Sequence, residues 1–511
     1  MKKRFKDIFK KFYEYIKKKI EYMKLENSKL MKSVYLKYFL IFSVIYLIAF
    51  IPLFRANFNY IDDLGRKFSG YRSFGFSRDG SDFLSIFVHG SKYLTDISPF
   101  TQIIAIAIIS LASTIVIKLI ARPEIKDKIN IWYIFATIPI GLSPYYLENF
   151  SYKFDSPYMA LSVLFSIIPF LYYKKNEKIN KNILFLFIGS FCTTLMCITY
   201  QASSGIFPSI TIALTLLMIH NKDKWKDIFK FILLSILSFG IGILFFKFFI
   251  MKHVDMYVNN DTWNMKEMIP GLIKNYKEYF KIILVDFKRT WIIAIFILII
   301  SFFITNIIKT KRNKIIEILY SLITLIFLGI FSFGLYPMLK QPLFQPRAMY
   351  GIGVTLSIIS LMAVDYKRAY IPKVFTFYIA YIFFILALTY GNALSEQKRY
   401  TEYRISLIAY DLNDIDVKEN DTLYIRIKGN IGRPNDVNKL VEKNRILDRL
   451  IPVTFGDDSW VWAGKYFYDY FNLPNIEKST EDLDVSVMKL YKETRYHNIY
   501  KNNNKIIIEL K

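Results

Sequence analysis

The sequence predicts an all-α polytopic membrane protein of about eleven membrane helices, closed by a small C-terminal α/β domain. Three observations predict it. The 511 residues are 53% hydrophobic and only 22% charged, with a mean hydropathy of +0.27, which lies outside the ordinary soluble range. The apolar residues fall in blocks of roughly 20, the length that carries a helix across a bilayer. A membrane barrel would instead show alternating stretches of about ten. From Gly391 onward the blocks stop, and nineteen basic residues balance nineteen acidic ones.

In chain order, 1–34 sets Phe, Ile and Tyr at helical spacing between Lys runs. It reads either as an amphipathic helix on the anionic inner leaflet or as a solvated basic lead-in. Block 35–54 is too long for a signal-peptide core and lacks a small-residue cleavage site, so it is expected to stay as the first span. The other spans are 99–120, 130–147, 157–173, 183–200, 204–219, 229–250, 290–308, 315–335, 348–364 and 374–390. Alternate connections are short and basic: Arg122–Lys128, Lys174–Lys178, Asn221–Lys226, Lys309–Lys314 and Asp365–Arg368. The positive-inside rule puts these in the cytoplasm with the N-terminus. Segments 55–98, 148–156, 201–203, 251–289 and 336–347 then face outward, and an odd number of spans leaves the tail outside. In the tail, 395–412 and 435–450 read as helices, and 422–428, 484–491 and 505–510 as strands. The expected domains are a cytoplasmic segment 1–34, a membrane domain 35–390 and an extracytoplasmic domain 391–511.

The net charge of +26 would suit nucleic acid only if it formed a footprint. Twelve Lys/Arg against four acids crowd Met1–Tyr35, and the remaining excess sits in the short loops. That is a topology signal, so no nucleic-acid partner is expected. Cys192 and Cys197 lie in one apolar block and read as packing residues. His89, His220, His253 and His497 are scattered, which disfavours a His-built metal site, and no phosphate loop, dinucleotide fingerprint or nucleophile elbow occurs.

What remains is a set of ionisable groups in the outer loops. Asn59-Tyr-Ile-Asp62-Asp63-Leu-Gly65-Arg66 follows the first span. An acid held just above the hydrocarbon is partly desolvated, which raises its pKa towards a useful general base. The same Asp pair also suits the N-terminus of a helix. The second outer loop, Pro144-Tyr145-Tyr-Leu-Glu148-Asn149-Phe-Ser-Tyr152-Lys153-Phe-Asp155, packs two acids, a Lys and an Asn among tyrosines. Charges at this depth are functional by default, while the rings alone would suit an interfacial belt. Arg347 stands where a span re-enters lipid, able to hold a phosphate bidentately or to snorkel to headgroups.

Asp62-Asp63-Leu-Gly65-Arg66, Gly70-Tyr71, Thr95-Asp96-Ile-Ser98-Pro99-Phe100, the Glu148 loop and Thr199-Tyr200-Gln201 together resemble the type II glucosyltransferases of bacterial serotype conversion. So does the tail from Arg433-Pro434-Asn435 to Arg449. The resemblance covers most of the chain and implies a GT-C-like membrane fold. It implies transfer of glucose, or another hexose, from undecaprenyl-phosphate glucose to a cell-surface glycan such as O-antigen. In a bacterium without O-antigen the acceptor becomes a teichoic acid or another wall glycan. The place implied is the outer face of the bacterial cytoplasmic membrane. An acid in the first outer loop is the family's base, which carries over onto Asp62 or Asp63.

The expected site is therefore Asp62 and Asp63 as catalytic acids and Arg66, Lys153 and Arg347 at the donor phosphate. Tyr71, Tyr145, Glu148, Asn149, Asp155 and Gln201 are expected at the substrates. No cofactor or bound metal is required by these residues, and the resemblance leaves a divalent cation (Mg or Mn) open. The competing class is a lipid or glycan flippase, which needs mid-depth charge and broken helices. Lys247 near the outer end of a span is not such a site. A third reading is a non-catalytic glycan-binding partner using Trp460 and Trp462.

Overall fold

A computed structural model describes residues 33–72, 74–123, 128–173, 179–252, 261–366, 368–415, 422–457, 476–479, 481 and 484–511. The amphipathic reading of 1–34 thus lies almost wholly outside the described residues, as do the basic loop 174–178, His253 and the pair Trp460 and Trp462. Among the described residues eight helices are long and apolar enough to cross a membrane. The first, Val34–Ala56, begins where Ser33 Oγ accepts the Tyr35 N–H and ends where Asn57 turns left-handed (φ 44°), the usual way to finish a helix.

The structure departs from eleven uniform spans. Three of the expected ones are shorter apolar helices, Ile131–Leu142, Ser156–Leu171 and Gly351–Val364. The first is about 18 Å long at 1.5 Å per residue, well short of a hydrocarbon core. All fourteen residues of Gly351–Val364 are buried, so this piece sits within protein, where broken backbone is tolerated at membrane depth. A second departure is Tyr370–Asn413, one helix of 44 residues, about 66 Å long. The expected boundary at 390/391 falls inside it, because Gly391 serves close packing rather than a stop. A Cβ there would lie 2.4 Å from the Leu53 backbone nitrogen. The expected outer segment 251–289 also contains an unforeseen helix, Met268–Asp286.

The described basic connections gather at one end of the bundle. Lys309 pairs with Asp365, Tyr133 donates to the same carboxylate at 2.7 Å, and Arg312 Nε donates to Ile219 O at 2.9 Å. The expected outer segments meet at the other end with the tail. Lys153 N–H donates to Asp63, Gln201 to Phe76 O, Lys252 N–H to Ser77, Tyr200 to Arg347 O and Tyr60 to Leu450 O. The alternation of loops that the sequence predicts is thus the alternation of the bundle's two ends.

The tail forms a five-stranded sheet of β1 (Leu423–Lys428), β2 (Ile476–Lys478), β3 (Lys489–Glu493), β4 (His497–Asn502) and β5 (Lys505–Leu510) in the order β2-β1-β5-β4-β3. β1 is parallel to β2 and β5, and the β5-β4-β3 side is antiparallel. Expected strands 422–428 and 505–510 form, strand 484–491 forms only from Lys489, and β4 and β2 were not foreseen. The sheet's apolar face packs on Ile405, Ile408 and Leu412 of the long helix.

Candidate functional site

At the loop-rich end opposite the basic connections lies a cavity of about 310 Å3. Its deeper wall is apolar, with Met159, Ile243, Phe246, Leu339 and Leu343, and its polar wall carries Asp62, Arg78, Asp155, Gln201 and Arg347. Lys247 and Lys252 line it as well, at the point where the span from Trp225 relaxes into a π-helical turn, Phe246–Ile250. Such turns re-aim side chains and recur at functional sites.

The neighbouring aspartates are parted. Asp62 is half-buried and lines the cavity, and among the described residues no hydrogen bond or ion pair engages its carboxylate. Asp63 is fully buried, and its Oδ2 accepts the backbone N–H groups of Tyr60 (3.0 Å) and Lys153 (3.1 Å). Burial pushes the Asp63 carboxyl up to about 8, against the pull of the Lys153 charge. The turn that leads into the pair is strained, because Ile61, a β-branched residue just before the helix Asp62–Ser69, is held at φ 39°. Across the cavity wall, Phe76 and Ser77 are also held at positive φ (52° and 57°), directly before Arg78. Each costs about 1–3 kcal/mol and persists only where the surroundings enforce it.

Three buried ion pairs on two carboxylates set the cations. The Asp155 carboxylate sits between two guanidinium groups, Arg66 Nη1 at 2.6 Å and Arg78 Nη1 at 3.1 Å. Glu148, 1% exposed, takes Arg347 Nη1 on one oxygen at 2.6 Å and the Arg347 backbone N–H on the other at 2.7 Å. A carboxylate that grips both the side chain and the main chain of one arginine fixes its direction. Arg347 also lies 5.6 Å from the centre of the Tyr152 ring, within cation–π range.

Of the expected site residues, then, Asp62, Asp155, Gln201 and Arg347 share one cavity, and Arg66 and Glu148 stand behind it as partners of lining residues. Lys153 does not line it. Its Nζ bonds Asn59 Oδ1 at 2.9 Å and Asp96 Oδ2 at 3.3 Å, facing a second cavity of about 280 Å3 with Tyr60, Ser98, Gln102 and Ser151. Burial lowers the Lys153 pKa, with Asp63 and Asp96 opposing it. Segments 57–62 and 151–155 form the partition between the two cavities, joined across its middle by Asp63. Tyr145 is buried and donates to Asp286 Oδ2 at 3.0 Å. Asn149 is buried with neither amide atom hydrogen-bonded, and Tyr71 is exposed and outside the cavity.

The glucosyltransferase family described as "Glucosyl transferase GtrII" matches residues 51–358, more than half of the chain and every loop of the cavity. The chain belongs to this family. A protein of Salmonella phage P22, described as an uncharacterized 55.3 kDa protein in the gtrB 5' region, is similar to it. The two are 26% identical over 448 residues, 84% of this chain and 88% of the phage protein. No solved structure matches.

In this glucosyltransferase the cavity residues to which sequence reasoning gave no role at the site are Arg78, Ser77, Lys247, Lys252 and Tyr336. Nothing local separates Arg78 from Arg72, since what selects it is the strained turn at Phe76 and Ser77. Lys247 carried a usable signal, a lone cation inside a span's apolar end.

Proposed function

We propose that this glycosyltransferase moves glucose, or a related hexose, from a polyprenyl-phosphate donor to a surface glycan at the outer face of the cytoplasmic membrane. The observation that carries the proposal is Asp62, a carboxylate without a partner among the described residues, in the same cavity as the anchored Arg347. The apolar wall between membrane helices suits a lipid tail, and the polar wall suits a sugar phosphate. The basic connections at the bundle's opposite end support an outward-facing cavity, as the positive-inside rule requires.

In the reaction Asp62 takes the proton of the acceptor hydroxyl as its oxygen attacks the anomeric carbon. The bond from that carbon to the phosphate oxygen breaks, and its electron pair leaves on the phosphate. Arg347 is held by Glu148 where it meets that developing charge, with Lys247 nearby, and a preorganised cation lowers the barrier because it need not reorient. Asp155 holds Arg66 and Arg78 in place, and Gln201 and Tyr152 line the sugar's position. A single displacement of this kind inverts the anomeric centre. Among the described residues no three His, Cys, Asp or Glu side chains converge as a metal site, and Asp155 is occupied by two arginines, so no step is routed through a divalent cation.

The test is reconstituted protein given polyprenyl-phosphate glucose and a glycan acceptor. Release of polyprenyl phosphate with glucosylated acceptor is expected, and Asp62→Asn should lower the rate by at least about 100-fold. Movement of intact lipid without release would replace this reading with a flippase. Full activity of Asp62→Asn would remove the assigned base.

A further inference from the structure

The tail domain lies beyond the residues matched to the family, yet two of its residues bond segments next to the cavity, Leu450 at Tyr60 and Arg449 at Phe344. The short helix Ile446–Leu450 is anchored by Arg433, whose guanidinium donates to Asp448 O at 2.8 Å and Ile451 O at 2.7 Å. This satisfies carbonyls that a helix end otherwise leaves open. So held, Leu450 O accepts the Tyr60 hydroxyl at 3.0 Å and the Tyr390 hydroxyl at 3.2 Å. Tyr60 is the residue whose backbone N–H caps Asp63, two positions before the lining Asp62. Tyr390 in turn bonds Ser151 at 2.6 Å, in the partition between the cavities.

The neighbouring Arg449 reaches the segments at Asp286 and Phe344. Its guanidinium bonds the Asp286 carboxylate and the Phe344 carbonyl. The same Asp286 oxygen accepts from Tyr145, three residues before Glu148, and Phe344 is three residues before Arg347. Segments 145–148 and 344–347 are therefore tied twice, directly by Glu148 with Arg347 and indirectly through Asp286 and Arg449. Asp286 is buried, which raises its carboxyl pKa while Arg449 pulls it down, so removing the guanidinium leaves a desolvated acid and a bare carbonyl.

We infer that Arg449 is a positioning residue for the transfer reaction, setting where Arg347 stands, and that the tail helix 446–450 is an integral wall brace of the active cavity. The inference rests on the proposed role of Arg347. A guanidinium displaced by about 1 Å costs on the order of 100-fold in rate, and the loss falls on kcat because the additional charge it meets develops only as the bond to the phosphate oxygen breaks.

The test uses the full-length protein in lipid nanodiscs. Arg449→Gln should lower kcat about 10- to 100-fold, with the acceptor KM within about twofold, and Arg449→Lys, which keeps the charge on Asp286, should recover part of it. In a Glu148→Gln background, where Arg347 is already loosened, Arg449→Gln should add less than about threefold. A general folding defect would multiply in full there and would overturn the inference. Hydrogen exchange of peptides spanning 340–348 and 57–63 should speed up in Arg449→Gln, with the long helices unchanged. The exchange measurement needs no sugar donor. Wild-type protein inactive with polyprenyl-phosphate glucose would count against the donor reading, whereas unchanged exchange would sink the brace.

Discussion

Replacing Asp63 by Asn separates a structural aspartate from a reacting one. Asp63 is fully buried and uses one oxygen to accept two backbone N–H groups, from Tyr60 and Lys153. Asn keeps an acceptor oxygen of the same reach, and its amide nitrogen takes the place of Oδ1, which has no hydrogen bond. Ala instead leaves two buried N–H groups open, at about 1–3 kcal/mol each. The pH dependence supplies an independent check. The carboxyl is raised from 3.8 to about 8, so the folded state holds a proton that the unfolded state releases. Stability from this group is therefore full below about pH 4 and is lost as pH rises towards about 8, by on the order of 5 kcal/mol. In detergent, wild-type melting should fall over that window, while Asp63→Asn should show a flatter profile and exceed wild type at about pH 8. Its transfer rate should stay within a few-fold of wild type. A stable Asp63→Asn protein that has lost transfer by about 100-fold would refute the division of labour between Asp62 and Asp63, and equal pH profiles would refute the burial argument.

Asp155→Asn leaves Arg66 and Arg78 buried without a counter-charge and should cost about 3–5 kcal/mol, read as a lower melting temperature together with lost transfer. Gly391→Val drives a side chain into the backbone of Leu53 and Pro52. It should separate the helices Val34–Ala56 and Tyr370–Asn413, and the yield of monodisperse protein in size exclusion measures that directly. Arg404, 1% exposed, donates to Ile431 O, Tyr496 O and Lys511 O. Arg404→Met should therefore expose β4 and β5 to hydrogen exchange while the membrane helices stay protected.

Much of the fold was legible because membrane insertion is written in composition. Hydropathy blocks gave the helices, and Lys and Arg in alternate loops gave the two ends. What misled was depth. A window of apolar residues reads the same whether it crosses lipid or is buried in protein, so Ile131–Leu142 and Gly351–Val364 passed for full spans. The apolar blocks end before Gly391, yet the helix runs on through it, and there its missing side chain admits another helix.

The candidate site divides along the same line. Residue types and spacing alone pointed to the Asp62 loop, the Glu148 loop and Arg347, since charge at a membrane interface is costly without a use. Which groups face one another was decided by contacts 77 or more positions apart in the chain, such as Arg78 with Asp155, Glu148 with Arg347 and Asp63 with the Lys153 N–H. Adjacent aspartates are chemically identical in sequence, and only the Tyr60 and Lys153 N–H groups on Asp63 and the cavity beside Asp62 make one a cavity wall and the other a buried tie. Composition fixes what must leave water, but the direction of a single carboxylate depends on partners that only the folded chain brings within hydrogen-bonding reach.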